Sequence, residues 1–357
     1  MYEQFKQLCI DGDTNNLELL FNSHINDLCC MVLEYKHYTF ANKIIKKCNI
    51  DIDSIFTIAC NKNNTEVGKK LCGNYDIDLQ QKFITACKNG DLNMVKYLLE
   101  NNFNIDVHAD NEEGFGLACK NGHLNVVQYL LKNDVNIDVH ADNELGFRFA
   151  CEYGHLNVVQ YLLENNFNID VHAVNEYGFR VACENGYLNI VQYLLKNNFN
   201  IDVHAKNEYG FIWACKNGHL NVVQYLLENN FNIDVHAENE RGFRMACFNG
   251  QLNVVQYLLE NNFNINVHAN NKYGFRWACE NGYLNVVKYL LTKMELTNQM
   301  IKLLCIKKCD YFDEIKSQIK IHKHIVNIHN NKLKSCKFLF TLYKTINIEN
   351  TIYFGLI

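Results

Sequence analysis

Six histidines, His108, His140, His172, His204, His236 and His268, recur every 32 residues and form the most regular polar column in the chain. Imidazole can hold a metal or move a proton near neutral pH. A shared metal fails on distance. Units that recur in this way stack, and stacked helices lie about 8–10 Å apart, whereas zinc is bound at about 2.0–2.1 Å. The Asp two residues earlier lies on the same side of an extended segment, so a local hydrogen bond is the expected job of each histidine. Cys87, Cys119, Cys151, Cys183, Cys215, Cys247 and Cys279 form a second column, always after Ala. A disulfide needs Cα atoms within about 7 Å, so this ladder cannot pair with itself. Each cysteine reads as a small buried side chain in a reducing compartment.

A less regular set closes the chain: Cys305, Cys309, His322, His324, His329 and Cys336. Cys305 and Cys309 would share a helix face, but the spacing matches no tight zinc motif, and no metal site or cofactor is expected. Trp213 and Trp277 share a repeat position with Leu117, Phe149, Val181 and Met245, which marks the position as apolar core rather than a ligand platform. The sequence holds no G-x-x-x-x-G-K-[ST], no H-E-x-x-H and no G-x-S-x-G. A non-enzymatic protein is expected, with no catalytic residue.

The elements that position these columns repeat with them. Gly90, Gly122, Gly154, Gly186, Gly218, Gly250 and Gly282 are spaced by 32. In one unit, Phe179, Ala182 and Cys183 lie at helical spacing, and Gly186 ends that helix in a left-handed conformation. Leu188, Val191, Leu194 and Leu195 then form the apolar stripe of a second helix. Asn198 is placed to close it with a left-handed residue. Ile201, Val203 and Ala205 alternate with Asp202 and His204, which predicts an extended segment, and "NEYG" supplies the turn into the next unit.

Helix, turn, helix and extended hairpin at a period near 33 resembles the ankyrin repeat family. Phe179 stands at the Leu of that family's T-P-L-H-x-A-A-x-x-G-H motif, Ala182 and Cys183 at its alanines, and Gly186 at its glycine. The resemblance implies an all-α solenoid of stacked helix-turn-helix units joined by short extended hairpins. The family's Thr-Pro is replaced, as at Tyr177-Gly178, and its His by residues such as Arg180, so the usual Thr–His bonding between units cannot form. Three segments are expected: 1–80, degenerate repeats forming an N-terminal cap; 81–291, seven regular repeats; and 292–357, a degenerate helical cap with a basic tail. No Gly-, Ser- or Pro-rich linker separates them, and one continuous array is expected.

Composition narrows the partners. The chain has 357 residues, 16 cysteines, no proline and a net charge of −5. No run of about 18 apolar residues is present, so no membrane span is expected, and the start of the chain lacks the pattern of a signal peptide. Residues 292–357 carry eleven lysines against five acids. Without a reader motif, nucleic acid is not the expected partner.

Comparing the units with one another separates a constant scaffold from three variable columns. The first holds Glu113, Leu145, Tyr177, Tyr209, Arg241 and Tyr273. The second holds Gly116, Arg148, Arg180, Ile212, Arg244 and Arg276, and the third Lys120, Glu152, Glu184, Lys216, Phe248 and Glu280. The family resemblance places these columns on hairpin tips and first helices, a protein-binding face, and Tyr and Arg suit such a face. The reading is an intracellular adaptor, a monomer, that binds a protein. The alternative, that recently duplicated units drift wherever drift costs nothing, stays open. The Asn- and Ile-rich dialect also resembles the ankyrin arrays of giant amoeba-infecting DNA viruses of the mimivirus kind, which implies a host protein as partner and the host cytoplasm as location. A second reading is a recruitment subunit whose C-terminal segment docks a ubiquitin-ligase component.

Overall fold

The structure, a computed structural model, describes residues 45, 51–101, 103–133, 136–197 and 199–294. The sequence echoes before residue 51, Asn198, and the cysteines, histidines and helices expected beyond residue 294 lie outside the described residues. Two compact units divide the chain, Met1–Val174 and Asn175–Ile357. Among the described residues there are helices and turns and no strand, so the all-α repeat architecture stands.

In the first unit the helices run in pairs: α1 (Ile52–Asn61) with α2 (Thr65–Asn74), α3 (Leu79–Asn89) with α4 (Leu92–Glu100), α5 (Ala109–Lys120) with α6 (Leu124–Lys132), and α7 (Ala141–Glu152) with α8 (Leu156–Glu164). First helices stack on first helices, α3 on α5 and α5 on α7, while second helices form a parallel row through α4, α6 and α8. α9 (Ala173–Glu184) contains the division between the units. The second unit continues with α10 (Leu188–Lys196), α11 (Ala205–Asn217), α12 (Leu220–Glu228), α13 (Ala237–Phe248), α14 (Leu252–Glu260), α15 (Ala269–Glu280) and α16 (Leu284–Lys293). There α11 packs on α13 and α13 on α15, with α10, α12, α14 and α16 as the second row.

The packing follows the expected stripes. Phe179, Ala182 and Cys183 of a first helix, and Val191 and Leu194 of a second, are buried, as are their equivalents in the other repeats. Each large side chain buried in this way stabilises the fold by about 1.5–3 kcal/mol. All seven ladder cysteines are free and buried. Burial pushes the thiols of the six from Cys87 to Cys247 well up, to about 12 at Cys87, so these are neutral apolar fillers and poor nucleophiles.

The glycine after each first helix has φ between 72° and 85°, the left-handed stop the sequence predicts. The second helices close similarly: Asn166, Asn230 and Asn262, the equivalents of Asn198, have φ of 57°, 57° and 60°. The glycine at the start of each first helix has a different reason. A Cβ on Gly146 would lie 2.6 Å from Phe115 Cε1 of the preceding unit, and one on Gly242 2.8 Å from Phe211. Close stacking of first helices leaves no room for a side chain at Gly114, Gly146 and Gly242 and little at Gly210 and Gly274, which favours glycine at that place.

The connection into each first helix differs from the simple turn expected. Ile201, Val203 and Ala205 do point inward, and Asp202 and His204 outward. After Ala205, however, Lys206, Asn207 and Glu208 are all left-handed, with φ of 57°, 56° and 62°. The same triplet is left-handed in every described repeat from Asp110–Asn111–Glu112 to Asn270–Asn271–Lys272. An L-residue in this region costs roughly 1–2 kcal/mol, less for Asn and Asp, so three in succession need compensation from elsewhere.

Candidate protein-binding face

That compensation comes from polar side chains in fixed columns. The carboxylate of Glu112, last residue of its triplet, accepts from His108 Nδ1 at 2.6 Å and from the Asp138 backbone N–H of the next repeat at 3.0 Å. Glu144 accepts from His140 and Asp170 at 2.8 and 3.1 Å. In the second unit Glu208 accepts from His204 and Asp234 at 2.6 and 3.1 Å, and Glu240 from His236 and Asn266 at 2.8 and 3.0 Å. Gln80 does this at the start of the series, accepting from Asp106 N and donating to Asp106 O. The histidine column is thus structural. Its backbone N–H donates the expected bond to Asp, at 3.0 Å for His108 (to Asn266 for His268), but the rings of His108, His140, His204 and His236 turn to a glutamate absent from the sequence-based expectation. The glutamate recurs with the period and could have been found as a charged residue in an otherwise buried column; it is 4% exposed at Glu112 and Glu208.

Arginines of the second variable column close the same turn. Arg148 Nε donates to Asn143 O and its Nη2 to Asp142 O, both at 2.7 Å. Arg244 does likewise to Asn239 and Glu238, and Arg180 Nε donates to Asn175 O at 2.7 Å. Three of the expected binding residues therefore also hold the backbone, and Arg180 is buried.

The remaining candidates form clusters on the first helices. In the first unit Lys120 sits over the rings of Phe149 and Tyr153, 5.3 and 4.7 Å from their centroids, and Tyr153 is 41% exposed. Glu113 and Glu152 are half-buried beside it in the sequence of columns. In the second unit Arg180 lies over Tyr177 and Tyr209, the Tyr209 hydroxyl donates to Glu184, and Tyr209 stacks on Trp213 at 5.2 Å. Lys216 covers Trp213 at 3.4 Å. Further along, Arg244 and Arg276 approach Tyr273, which meets Trp277, and Phe248 meets the same Trp277 at 4.5 Å. Arg241 pairs with Glu238 at 2.6 Å, and Glu280 is exposed. The tryptophans correct the sequence reading. Trp213 and Trp277 are half-buried members of this face rather than fully buried core, although Val181 of the same column is buried.

A groove of about 440 Å³ in the first unit is lined by Asp53, Asp78, Lys82 and Asp91, but these groups are engaged. Asp78 and Asp91 cap helices through Gln81 N and Met94 N, and Lys82 pairs with Asp53. Among the described residues no group of three or more His, Cys, Asp or Glu could hold a metal ion. None of the described helices is long and apolar enough to cross a membrane.

The family model described as ankyrin repeats (3 copies) matches residues 55–143, 83–175, 150–239, 179–271 and 211–300. The chain belongs to the ankyrin repeat family. No curated protein matches it. Ankyrin repeats are in general protein–protein interaction scaffolds and typically non-enzymatic, and the columns above occupy the first helices of such repeats. This ankyrin array lacks the Thr–His bonding of its family. The glutamate clasp, reaching the backbone N–H of the following hairpin, ties neighbouring units in its place.

Proposed function

We propose that the chain is a non-enzymatic ankyrin scaffold or adaptor that holds another protein through its hairpin tips and first helices. One observation carries the reading. The columns that vary between repeats carry half-exposed Tyr209, Lys216, Tyr273 and Arg276 clustered about Trp213 and Trp277, while the recurring Phe, Ala-Cys and Val/Leu columns are buried. Rigid aromatic anchors flanked by cations are the residue types that dominate protein interfaces. The resemblance of the repeat dialect to mimivirus-like arrays supports a host protein as partner and the host cytoplasm as location. The ubiquitin-ligase reading concerns residues 292–357, of which only 292–294 are described, and no observation favours it.

The test is affinity capture from amoebal lysate with the full chain and with Tyr209→Ala/Trp213→Ala. Neither ring donates to a left-handed turn, so helical circular dichroism should be kept. Capture should be lost with the fold intact. A partner retained by the variant but lost on removing residues 292–357 would move the function to the tail.

A further inference from the structure

Resting on the scaffold reading, we propose that the partner of the second unit is an acidic protein segment, lying extended across its first helices with a carboxylate about every third residue.

Charge is the first argument. Between residues 177 and 280 the three variable columns hold five cations and two carboxylates, in a chain whose net charge is −5. One carboxylate, Glu184, already accepts from the Tyr209 hydroxyl. Lys216, Arg244 and Arg276 lie over aromatic rings and form no ion pair with any described carboxylate. Cations held this way, on successive first helices and partly desolvated, are matched by carboxylates supplied from outside.

Geometry sets the spacing. Adjacent packed helices lie about 8–10 Å apart, and an extended chain advances about 3.3 Å per residue, so every third residue of a bound segment meets the next repeat. The residues between would rest on the exposed edges of Trp213 and Trp277.

The same arrangement disfavours single-stranded nucleic acid. Base stacking needs open ring faces. Here Lys216 covers Trp213, Tyr209 stacks on it from elsewhere, and Trp277 is closed in by Tyr273 and Phe248. The rings offer edges to apolar side chains rather than faces to bases.

The experiment selects a random library of short peptides on the full chain and titrates the enriched peptides by fluorescence anisotropy. Acidic peptides with Asp or Glu three apart are expected. The double charge reversal Lys216→Glu/Arg276→Glu should weaken them by about tenfold or more. Neither side chain donates a hydrogen bond within its own repeat, and circular dichroism checks that the fold is kept. Enrichment of neutral or basic peptides, or none at all, overturns the proposal, as does an acidic peptide indifferent to the charge reversal. An oligothymidylate of equal length that binds as tightly also overturns it, since phosphate would then be the ligand. If neutral peptides are enriched and Tyr209→Ala/Trp213→Ala abolishes their binding, the binding face survives and only its acidic specificity fails. If those peptides ignore both variants, the binding face fails as well.

Discussion

At the scale of single residues, the least expected feature is a buried carboxylate whose two oxygens are treated differently. In Glu112, Glu144, Glu208 and Glu240, Oε1 accepts two hydrogen bonds and Oε2 is buried without a described partner. Such a group is retained because Oε1 pins the left-handed triplet and satisfies an N–H of the next repeat. Glu208→Ala should cost about 1–3 kcal/mol, because the Asp234 amide loses its acceptor and the triplet its anchor. Hydrogen exchange of the Asp234 amide should accelerate together with a lower melting temperature; an unchanged exchange rate would show that the bond contributes nothing. The histidine adds a pH dependence. The hydrogen bond that His108 donates to Glu112 raises the pKa of His108 above its ordinary value, with the charges of Glu112, Asp106 and Asp138 acting in the same direction. The folded state therefore binds this proton more tightly than the unfolded state. The stabilisation is fully present below the unfolded value of about 6.5 and is lost as pH rises through the raised folded value. Comparing melts of the parent protein and His108→Gln, the gap should be widest below about pH 6.5 and shrink as pH rises above it. A gap that grows with pH would contradict this protonation.

At the scale of elements, one residue type plays opposite parts in the same pair of helices. Gly146 lies where α7 meets Phe115 of α5, and an added Cβ would stand 2.6 Å from the ring. Gly146→Ala should destabilise by about 1–3 kcal/mol through overpacking. Gly116, in the interior of α5, meets nothing closer than 3.7 Å. Gly116→Ala should stabilise by about 0.5–1 kcal/mol, since alanine has the higher helix propensity. Thermal melts of the two variants should move in opposite directions; a shared sign would mean that α5 and α7 are not stacked as described. The arginines divide in a similar way. Arg244 holds two turn carbonyls, while Arg276 donates to none and only approaches Tyr273. Arg244→Ala should therefore lower stability by about 1 kcal/mol and Arg276→Ala by no more than about 0.5 kcal/mol.

At the scale of the whole molecule, repeats within each unit are tied to their neighbours by recurring contacts: the glutamate clasp, the Phe–Gly approach and, where a glutamate is present, second-helix hydrogen bonds such as Tyr257 to Glu228. Stability in such a chain is a sum of repeat and nearest-neighbour contributions. Deleting Gly178–Tyr209, one full period, joins Tyr177 to Gly210 and keeps the helix stripes of the repeat in register. A deletion of half that length leaves a buried helix face without its match. Circular dichroism should show a cooperative melt for the first and a large loss of helix for the second. Equal damage in both would mean that the repeats are not interchangeable.

Periodicity alone settled much of this architecture. Apolar residues at helical spacing, a glycine every 32 residues and an Ala-Cys pair inside each first helix specify stacked helix pairs, because each stripe must be buried against its copy in the next unit. The inward alternation of Ile201, Val203 and Ala205 and the quiet, buried cysteines follow from the same logic. Other features required three dimensions. The left-handed triplet is invisible in propensities, since Lys206 and Glu208 do not favour that conformation, and it is braced here by Glu208, which reaches a backbone amide 26 residues away. Trp213 reads as core from sequence because a column's hydrophobicity reports its residue types, not how far each side chain is covered. The variable columns could be named from sequence, but their pairing into cation–aromatic clusters could not. That pairing depends on distances between side chains of different repeats, which only the stacking of the units sets.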